Sequence, residues 1–220
     1  MRVIPYFQLE TYTERNGILR KTRKRRSRSF VQQFLKLHYL MSNESGTDIT
    51  ITDIDGTSRT RGASSNQWKH TFLATAPGRG GSGCAIGGAI STDTDFKGSK
   101  AANNGIVLGT GSTAIAPTDF QLATLIADGT SASQLEYFSS AGGNFSISGG
   151  TGSFVLERLF RNSSGGTITV NEMGVYVGGF SLTNNQGFFH FCVLRDLVSP
   201  GFAITNGAYA RATYTISITV

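Results

Sequence analysis

The 220-residue chain is predicted to be an all-β protein, a β-sandwich or jelly roll, with a basic N-terminal arm and one leading amphipathic helix. First, its 28 glycines are combined with 15 phenylalanines and 7 tyrosines, that is, turn-forming residues with large side chains that favour strands. Second, the second half alternates short strand-like segments with turn residues. Third, only 15% of the residues are charged, below the roughly 25% of an average soluble domain. This composition as a whole excludes a coiled coil, a helical bundle and a wholly disordered chain.

Residues 1–28 are predicted to form an extended basic arm. Residues 1–36 contain ten basic and two acidic groups, a net charge of +8, whereas the other 184 residues contain ten basic and twelve acidic groups, a net charge of −2. The formal charge of +6 is therefore a property of the N-terminal segment. If this arm is separate from the body, deleting residues 1–28 is expected to leave the body folded.

An amphipathic helix is predicted over residues 29–41. Phe30, Phe34, Leu37 and Met41 recur at spacings of three and four, which places them on one helical face. Ser29 and Gln32 fit a capping box at its start. We expect the apolar face to pack on the body or on a neighbouring subunit.

Residues 42–220 are predicted to form the β-sandwich domain, with a glycine-rich loop region around residues 76–104. Residues 48–52 alternate as a strand and end in a turn at 53–56. Residues 118–127, after Pro117, are expected to be helical, and a loop at 162–166 is expected to join its flanking strands as a hairpin. The remaining predicted strands are 105–108, 134–138, 144–148, 153–160, 167–177, 187–197 and 209–220.

The last of these strands has the clearest pattern. Its even-numbered residues are apolar from Ala210 to Val220, and its odd-numbered residues from Arg211 to Thr219 are polar. A strand has a side-chain period of two, so this pattern predicts one face in the core and one in water.

Several segments together resemble virion structural proteins of tailed bacteriophages. The central block consists of GIVLGTGSTA at 105–114, PTDFQLA at 117–123 and IADG at 126–129. The segments that accompany it are RSFV at 28–31, RLFRNSSG at 158–165, ITVNEMGVY at 168–176 and VLRDL at 193–197. The resemblance implies a structural subunit of the virion, at the neck (the head-tail connector), tail or capsid surface. It also implies a homo-oligomer with other virion proteins as partners.

The strongest chemical signal is a run of seven cations within residues 20–28. They are Arg20, Lys21, Arg23, Lys24, Arg25, Arg26 and Arg28. Three interpretations are open: a solvated charge run, a clamp that docks on an acidic neighbouring subunit, and a contact with packaged nucleic acid. No aromatic residue is interleaved within the run, which disfavours base stacking, and the helix that follows favours docking.

The residues show no pattern of catalysis, so no enzyme activity, cofactor or metal is expected. His38 and His190 are interpreted as packing residues, and the hydrolase and zinc-protease motifs are absent. Cys84 and Cys192 are too few and too far apart for a metal site or a disulfide framework, and are interpreted as free thiols.

Two further patterns resemble ligand loops without completing them. The aspartates at 53–56 and 93–98 lack the glutamate that closes a calcium loop, so they are interpreted as turn residues. The glycines at 78–83 lack the Lys-Ser/Thr ending of a phosphate loop. No apolar run approaches the roughly 20 residues that span a bilayer, and no secretory signal is expected; no membrane partner is expected.

A second class of function stays open at this stage. A receptor- or glycan-binding module of a viral fibre would share the β-rich body. It would need exposed aromatic side chains in a groove, for which Trp68 and Tyr137 are the candidates.

Overall fold

A computed structural model describes residues 2–13, 17–27, 29–42, 49–61, 84–85, 102–142, 145–180 and 188–219. The all-β prediction is confirmed, because the chain is mostly strand in several antiparallel sheets. The elements are β1 Arg2–Thr13, β2 Gly17–Lys21, β3 Arg25–Arg26, α1 Gln32–Ser42, β4 Ile49–Thr52, β5 Ser58–Arg61, β6 Cys84–Ala85, β7 Gly105–Gly109, β8 Glu136–Gly142, β9 Ser146–Ser148, β10 Thr151–Arg161, β11 Ile168–Phe180, β12 Phe188–Ile204 and β13 Tyr209–Thr219.

The first sheet is built around the C-terminal strand. Its order is β2-β1-β13-β10-β8, with β3 also on β1 and β9 also on β10. β13 pairs antiparallel with β1 from the Arg2–Thr219 pair to the Tyr12–Tyr209 pair, and with β10 over the same length. The alternation predicted for β13 is confirmed: its even-numbered side chains from Ala210 to Ile216 are buried.

The predicted arm is not separate from the body, because β1, β2 and β3 all belong to this sheet. β1 is extended as expected, but it lies between β13 on one side and β2 and β3 on the other. Phe7 and Leu9 are buried in the core, and the Phe7 ring lies 6.1 Å from that of Tyr214. Their burial makes the N-terminal segment integral to the fold.

The second sheet has the order β12-β11-β6, and β7 also pairs with β11. β11 and β12 form the longest hairpin of the described chain, with the Ile168–Ile204 pair at one end and the Phe180–Phe188 pair at the other. β12 therefore extends past the predicted end at residue 197. β4 and β5 form a separate two-stranded sheet around the turn at 53–56, which is confirmed by Gly56 at φ +81°.

The predicted hairpin between β10 and β11 does not exist. β10 is occupied on both sides, by β13 and by β8 and β9, and the chain crosses from the first sheet to the second. Asn162, fully buried, organises the crossing: its Nδ2 donates to Gly166 O (2.8 Å) and Ile204 O (2.7 Å), and its Oδ1 accepts from Ser164 N (3.0 Å). The loop is closed by one amide side chain and not by a strand pair.

The helix α1 begins at Gln32, three residues after its predicted start, because the expected capping box does not form. Ser29 Oγ donates to Asp196 Oδ1 (2.9 Å), and Ser29 O accepts from Arg195 N (3.2 Å). Phe30 forms a bridge with Leu194. Residues 29–31 thus lie along β12 before the helix starts.

Candidate interaction surfaces

The predicted cations lie at one edge of the first sheet. β2 and β3 pair with β1 on their inner side, and no strand among the described residues pairs with their outer side. We call residues 20–26 the basic edge. Its six exposed cations are Arg20, Lys21, Arg23, Lys24, Arg25 and Arg26. Arg28, the seventh predicted cation, lies outside the described residues.

Besides the strand pairing of β2 and β3, hydrogen bonds of Thr22 and of the adjacent Ser27 hold the basic edge to β1. Thr22 N donates to Leu9 O (2.8 Å), and Thr22 Oγ accepts from Leu9 N (2.9 Å). Gln8 Nε2 donates to Thr22 O (2.8 Å), and Ser27 N donates to Pro5 O (2.8 Å). The cations are therefore attached to a fixed backbone, which a flexible arm would not provide.

Some cations of the basic edge also contact the body. Lys21 Nζ lies 2.5 Å from a carboxylate oxygen of Glu10, which Arg211 also contacts. Hydrogen bonding from Lys21, assisted by Arg211, lowers the pKa of Glu10 despite its burial. The Arg20 guanidinium lies 5.3 Å from the centre of the Phe202 ring, and Lys24 Nζ lies 5.2 Å from that of Tyr6. These contacts orient part of the edge and leave its net charge positive.

Few of the acidic side chains among the described residues are fully exposed. Four are buried: Glu10, Asp53, Glu172 and Asp196. Asp55 and Asp128 are the exposed carboxylates among the described residues. Glu10, Asp53, Asp119, Glu136 and Glu172 each form an ion pair within the chain, so the basic edge is the largest group of exposed charges among the described residues.

The predicted helix face packs on the chain's own body. Leu37 is buried, and Phe30 and Phe34, whose ring centres are 4.1 Å apart, are half-buried against the core. Met41 lies in α1, but its side chain is not among those described. The solvent face of α1 has two exposed apolar side chains that the sequence analysis did not single out, Leu35 (67% exposed) and Tyr39.

A buried carboxylate in β11 organises the loop after β7. Glu172 Oε1 accepts from Gly111 N (3.1 Å) and Thr124 N (2.8 Å). Its Oε2 accepts from Ala123 N (3.1 Å) and Arg195 Nε (2.9 Å). One side chain thus fixes two separate points of the 110–127 segment.

Arg195 extends this tether. Its Nη1 donates to Asp119 Oδ2 (2.6 Å) and its Nη2 donates to Thr113 O (2.9 Å). Burial would lower the pKa of Arg195, but hydrogen bonds to Asp119 and Glu172 outweigh it and raise that pKa. Every described contact of this network is directed at backbone or at another member, so its chemistry is that of a structural tether.

The helix predicted over residues 118–127 is absent, because backbone N–H groups of this segment bond outside it, at Glu172 and at other elements. Leu122 N donates to Tyr176 Oη (2.7 Å), and Ile126 N donates to Leu108 O (2.9 Å). These backbone groups bond to other elements and not to carbonyls four residues back. Leu122 and Ile126 are buried, so their helical spacing reflects two separate insertions into the core.

A second buried cation ties β7, β8 and β10 together. Arg158 Nε donates to Phe138 O (2.7 Å) and its Nη1 donates to Ile106 O (3.0 Å), with the guanidinium 4.7 Å from the centre of the Tyr137 ring. Burial lowers the pKa of Arg158 to about 10. Tyr137 Oη donates to Ile126 O (2.7 Å) and its side chain is buried. Tyr137 therefore cannot line an exposed groove, contrary to the glycan-binding expectation; Trp68 lies outside the described residues.

The remaining candidate groups take part in packing and turns. Burial, opposed by Asp53, lowers the pKa of His190 to about 4, and burial raises the pKa of the Cys192 thiol. Asp53 Oδ1 accepts from the backbone of Asp55 and Thr57, and Asp53 Oδ2 accepts from Arg59 Nε (2.7 Å). Both oxygens of the Asp53 carboxylate therefore bond to residues of its own β4–β5 hairpin. The segments 78–83 and 93–98, and the side chains of His38 and Cys84, are not described.

No cluster of three or more potential metal ligands occurs in the part of the chain that the structure describes. None of the helical residues described there forms a segment long and apolar enough to cross a membrane. Comparison with protein-family models, with curated proteins and with solved structures found no match to this chain.

Proposed function

We propose that this chain is a non-enzymatic structural subunit of a tailed-bacteriophage particle, assembled into the virion at the neck, tail or capsid surface. Its basic edge docks on an acidic surface of a neighbouring subunit. The observation that carries the proposal is the set of six exposed cations held on one edge of the first sheet. The sequence resemblance supports the location in a virion, and the basic edge supports the contact with a neighbouring subunit.

A fixed basic edge suits docking between subunits. Its backbone is already ordered by bonds to Leu9 and Pro5, so little conformational entropy is lost on binding. Exposed cations steer a complementary acidic surface into register, and they do so more strongly at low salt. The charges that remain in the described body are mostly paired internally, which leaves the basic edge as the directing surface.

A β-sandwich arrangement of the two large sheets is part of the proposal. The chain passes between the sheets in each of the connections β7–β8, β10–β11 and β12–β13. Tyr214 Oη, in β13, donates to Asp196 Oδ2 in β12 (3.0 Å). Arg158, in β10, donates to Ile106 O in β7. Polar bridges of this kind support two sheets that face each other across one core.

Docking on protein is favoured over binding to nucleic acid because the aromatic rings near the cations are covered. The nearby rings of Tyr6 and Phe202 are covered by Lys24 and Arg20, and Phe202 is buried. No described aromatic face on the edge is thus open to a base. Binding to the phosphate backbone is an alternative outcome of the experiment.

The proposal is tested on the full chain and a variant carrying R23S, K24S, R25S and R26S. Light scattering and negative-stain microscopy would follow assembly, and fluorescence anisotropy would follow binding to a polyglutamate peptide and to duplex DNA. We expect salt-sensitive peptide binding that the fourfold variant loses by at least about tenfold. Lys36→Ser, which removes a cation from α1, is the control and is expected to bind as the wild type does.

Other results would replace the proposal. Equal binding by the fourfold variant would remove the basic edge from the interaction. Much tighter binding to DNA than to polyglutamate at matched salt would assign the edge to packaged nucleic acid. A chain that stays monomeric and binds neither probe would contradict a docking role.

A further inference from the structure

The opposite edge of the first sheet differs in chemistry from the basic edge. β8 and β9 form it, one after the other along β10. Between Glu136 and Glu157 the chain has no charged residue. Natural sheets usually protect an open edge with charge, proline or a covering segment, and β9 has neither charge nor proline.

Two large apolar side chains are exposed here, Ile147 in β9 and Phe145 just before its first residue. Phe145 is 66% exposed and Ile147 is 73% exposed. Ile147 is opposite Gly152, which is opposite Ile218 in β13. On β10 the same side of the sheet carries Leu156, which is buried in the core. The two side chains thus continue the apolar face of the sheet past the part that is covered.

The hairpin geometry directs the free backbone groups of Ile147 outward. Gly149 and Gly150 both have positive φ (+54° and +75°) and link Ser148 to Thr151 as a two-residue turn. In such a hairpin the flanking Ser148–Thr151 pair exchanges both hydrogen bonds. Backbone direction alternates along a strand, so the N–H and C=O of Ile147 point away from β10, toward the side on which no strand of the described residues pairs with β9.

We propose that β9 is a self-association edge, at which two copies of this chain pair antiparallel about a two-fold axis with Ile147 opposite Ile147. The proposal rests on the proposed function, to which it adds a contact between copies of this chain, and it uses a different surface from the basic edge. An uncharged strand meets its own copy without like-charge repulsion, whereas two basic edges would repel each other. The pairing also covers Phe145 and Ile147 of both copies.

The oligomeric state of three full-length proteins tests this pairing. Wild type, I147K and S148K would be compared by sedimentation velocity at about 0.5 M salt. The Debye length is then only about 5 Å, so electrostatic contacts of the basic edge are suppressed. In the proposed register I147K places two lysines directly opposite each other, whereas the lysine introduced by S148K faces Ser146 of the other copy. We expect wild type and S148K to dimerise, and I147K to dimerise at least about tenfold more weakly.

A cysteine pair keeps the test decisive if I147K fails to fold. In the proposed register the two 147 positions lie about 5.5 Å apart, which a disulfide spans, whereas the two 148 positions lie more than about 7 Å apart. We expect I147C to form a disulfide-linked dimer on mild oxidation and S148C to stay unlinked. The wild type, oxidised in the same way, shows how much linkage Cys84 and Cys192 give by themselves. Equal linkage in both variants, a monomeric wild type, or equal dimerisation of I147K would overturn the proposal. The fourfold basic-edge variant is expected to dimerise at high salt as the wild type does, because it keeps β9. That result would show that dimerisation does not depend on the proposed docking of the basic edge.

Discussion

At the scale of single residues, the fold depends on charged side chains placed inside apolar strands. Glu172, Arg158 and Arg195 are each buried, and each holds loop or strand backbone through several hydrogen bonds. Charged residues within a mostly apolar strand segment are a signal that sequence reading can find, as in ITVNEMGVY and VLRDL.

Replacing Glu172 by glutamine is expected to destabilise the fold. The amide keeps the shape but lacks the charge that pairs with Arg195, and its NH2 group cannot accept from the loop backbone. Breaking a buried pair in this way lowers the free energy of unfolding by about 3 kcal/mol. Denaturant unfolding would measure the change, with the exposed Asp55→Asn as a control that leaves the midpoint nearly unchanged. A loss below about 1 kcal/mol would show that the loop is held by other contacts.

His190 is expected to make stability depend on pH between about 6.5 and 4. Burial lowers its folded pKa to about 4, against about 6.5 in an unfolded chain. In that window the unfolded state binds more protons, so the stability present above pH 6.5 falls as the pH falls. The limiting slope is about 1.4 kcal/mol per pH unit, and partial exposure of His190 reduces it. Unfolding at pH 7 and pH 5 would show a larger difference for wild type than for His190→Asn; equal differences would contradict the assignment.

At the scale of elements, sequence patterns predict strands well and their partners poorly. The alternation in β13 is sufficient to predict its buried face and its polar face, because both depend only on local periodicity. The hairpin expected between β10 and β11 is wrong because pairing depends on which edges other strands occupy. Leu122 and Ile126 are four apart, which suggests a helix over residues 118–127, yet distant side chains take up the backbone groups there. The basic residues can be found from the sequence, but their fixed position on an edge cannot. The strand predicted at 144–148 contains β9, but its position at the other edge of the sheet could not be predicted either.

Deleting residues 1–28 is expected to unfold the chain, contrary to the expectation from sequence. The deletion removes β1, β2 and β3, and it exposes one whole side of β13 and the buried contacts of Phe7 and Leu9. Losing two such side chains alone corresponds to several kcal/mol, a large share of the stability of one domain. Circular dichroism and solubility of the truncated chain would measure this, with the fourfold basic-edge variant as a folded control. A soluble truncated chain with a cooperative transition would show that the sheet closes without β1.

At the scale of the whole molecule, the first sheet has two edges of opposite character. The strand order β2-β1-β13-β10-β8 places the basic edge on one side and the uncharged edge with β9 on the other. Pairing two copies through β9 would make one continuous sheet with a basic edge at each end. With adjacent strands about 4.8 Å apart, the two basic edges would be separated by roughly 40 Å. Self-association and docking could then operate together without competing for one surface.

This arrangement predicts that the dimer distinguishes acidic ligands by length. A polyglutamate chain long enough to span roughly 40 Å can bind both basic edges at once, and the second contact is then intramolecular. Wild type is expected to prefer the long chain over a short one by at least about tenfold more than I147K does. A longer ligand also offers more overlapping binding positions to a single basic edge. I147K controls for this effect, because it has the same basic edge on a monomer. Competition anisotropy at low salt and at concentrations where wild type is dimeric would measure both preferences. If I147K showed the same preference for length, the two basic edges would not be joined through β9.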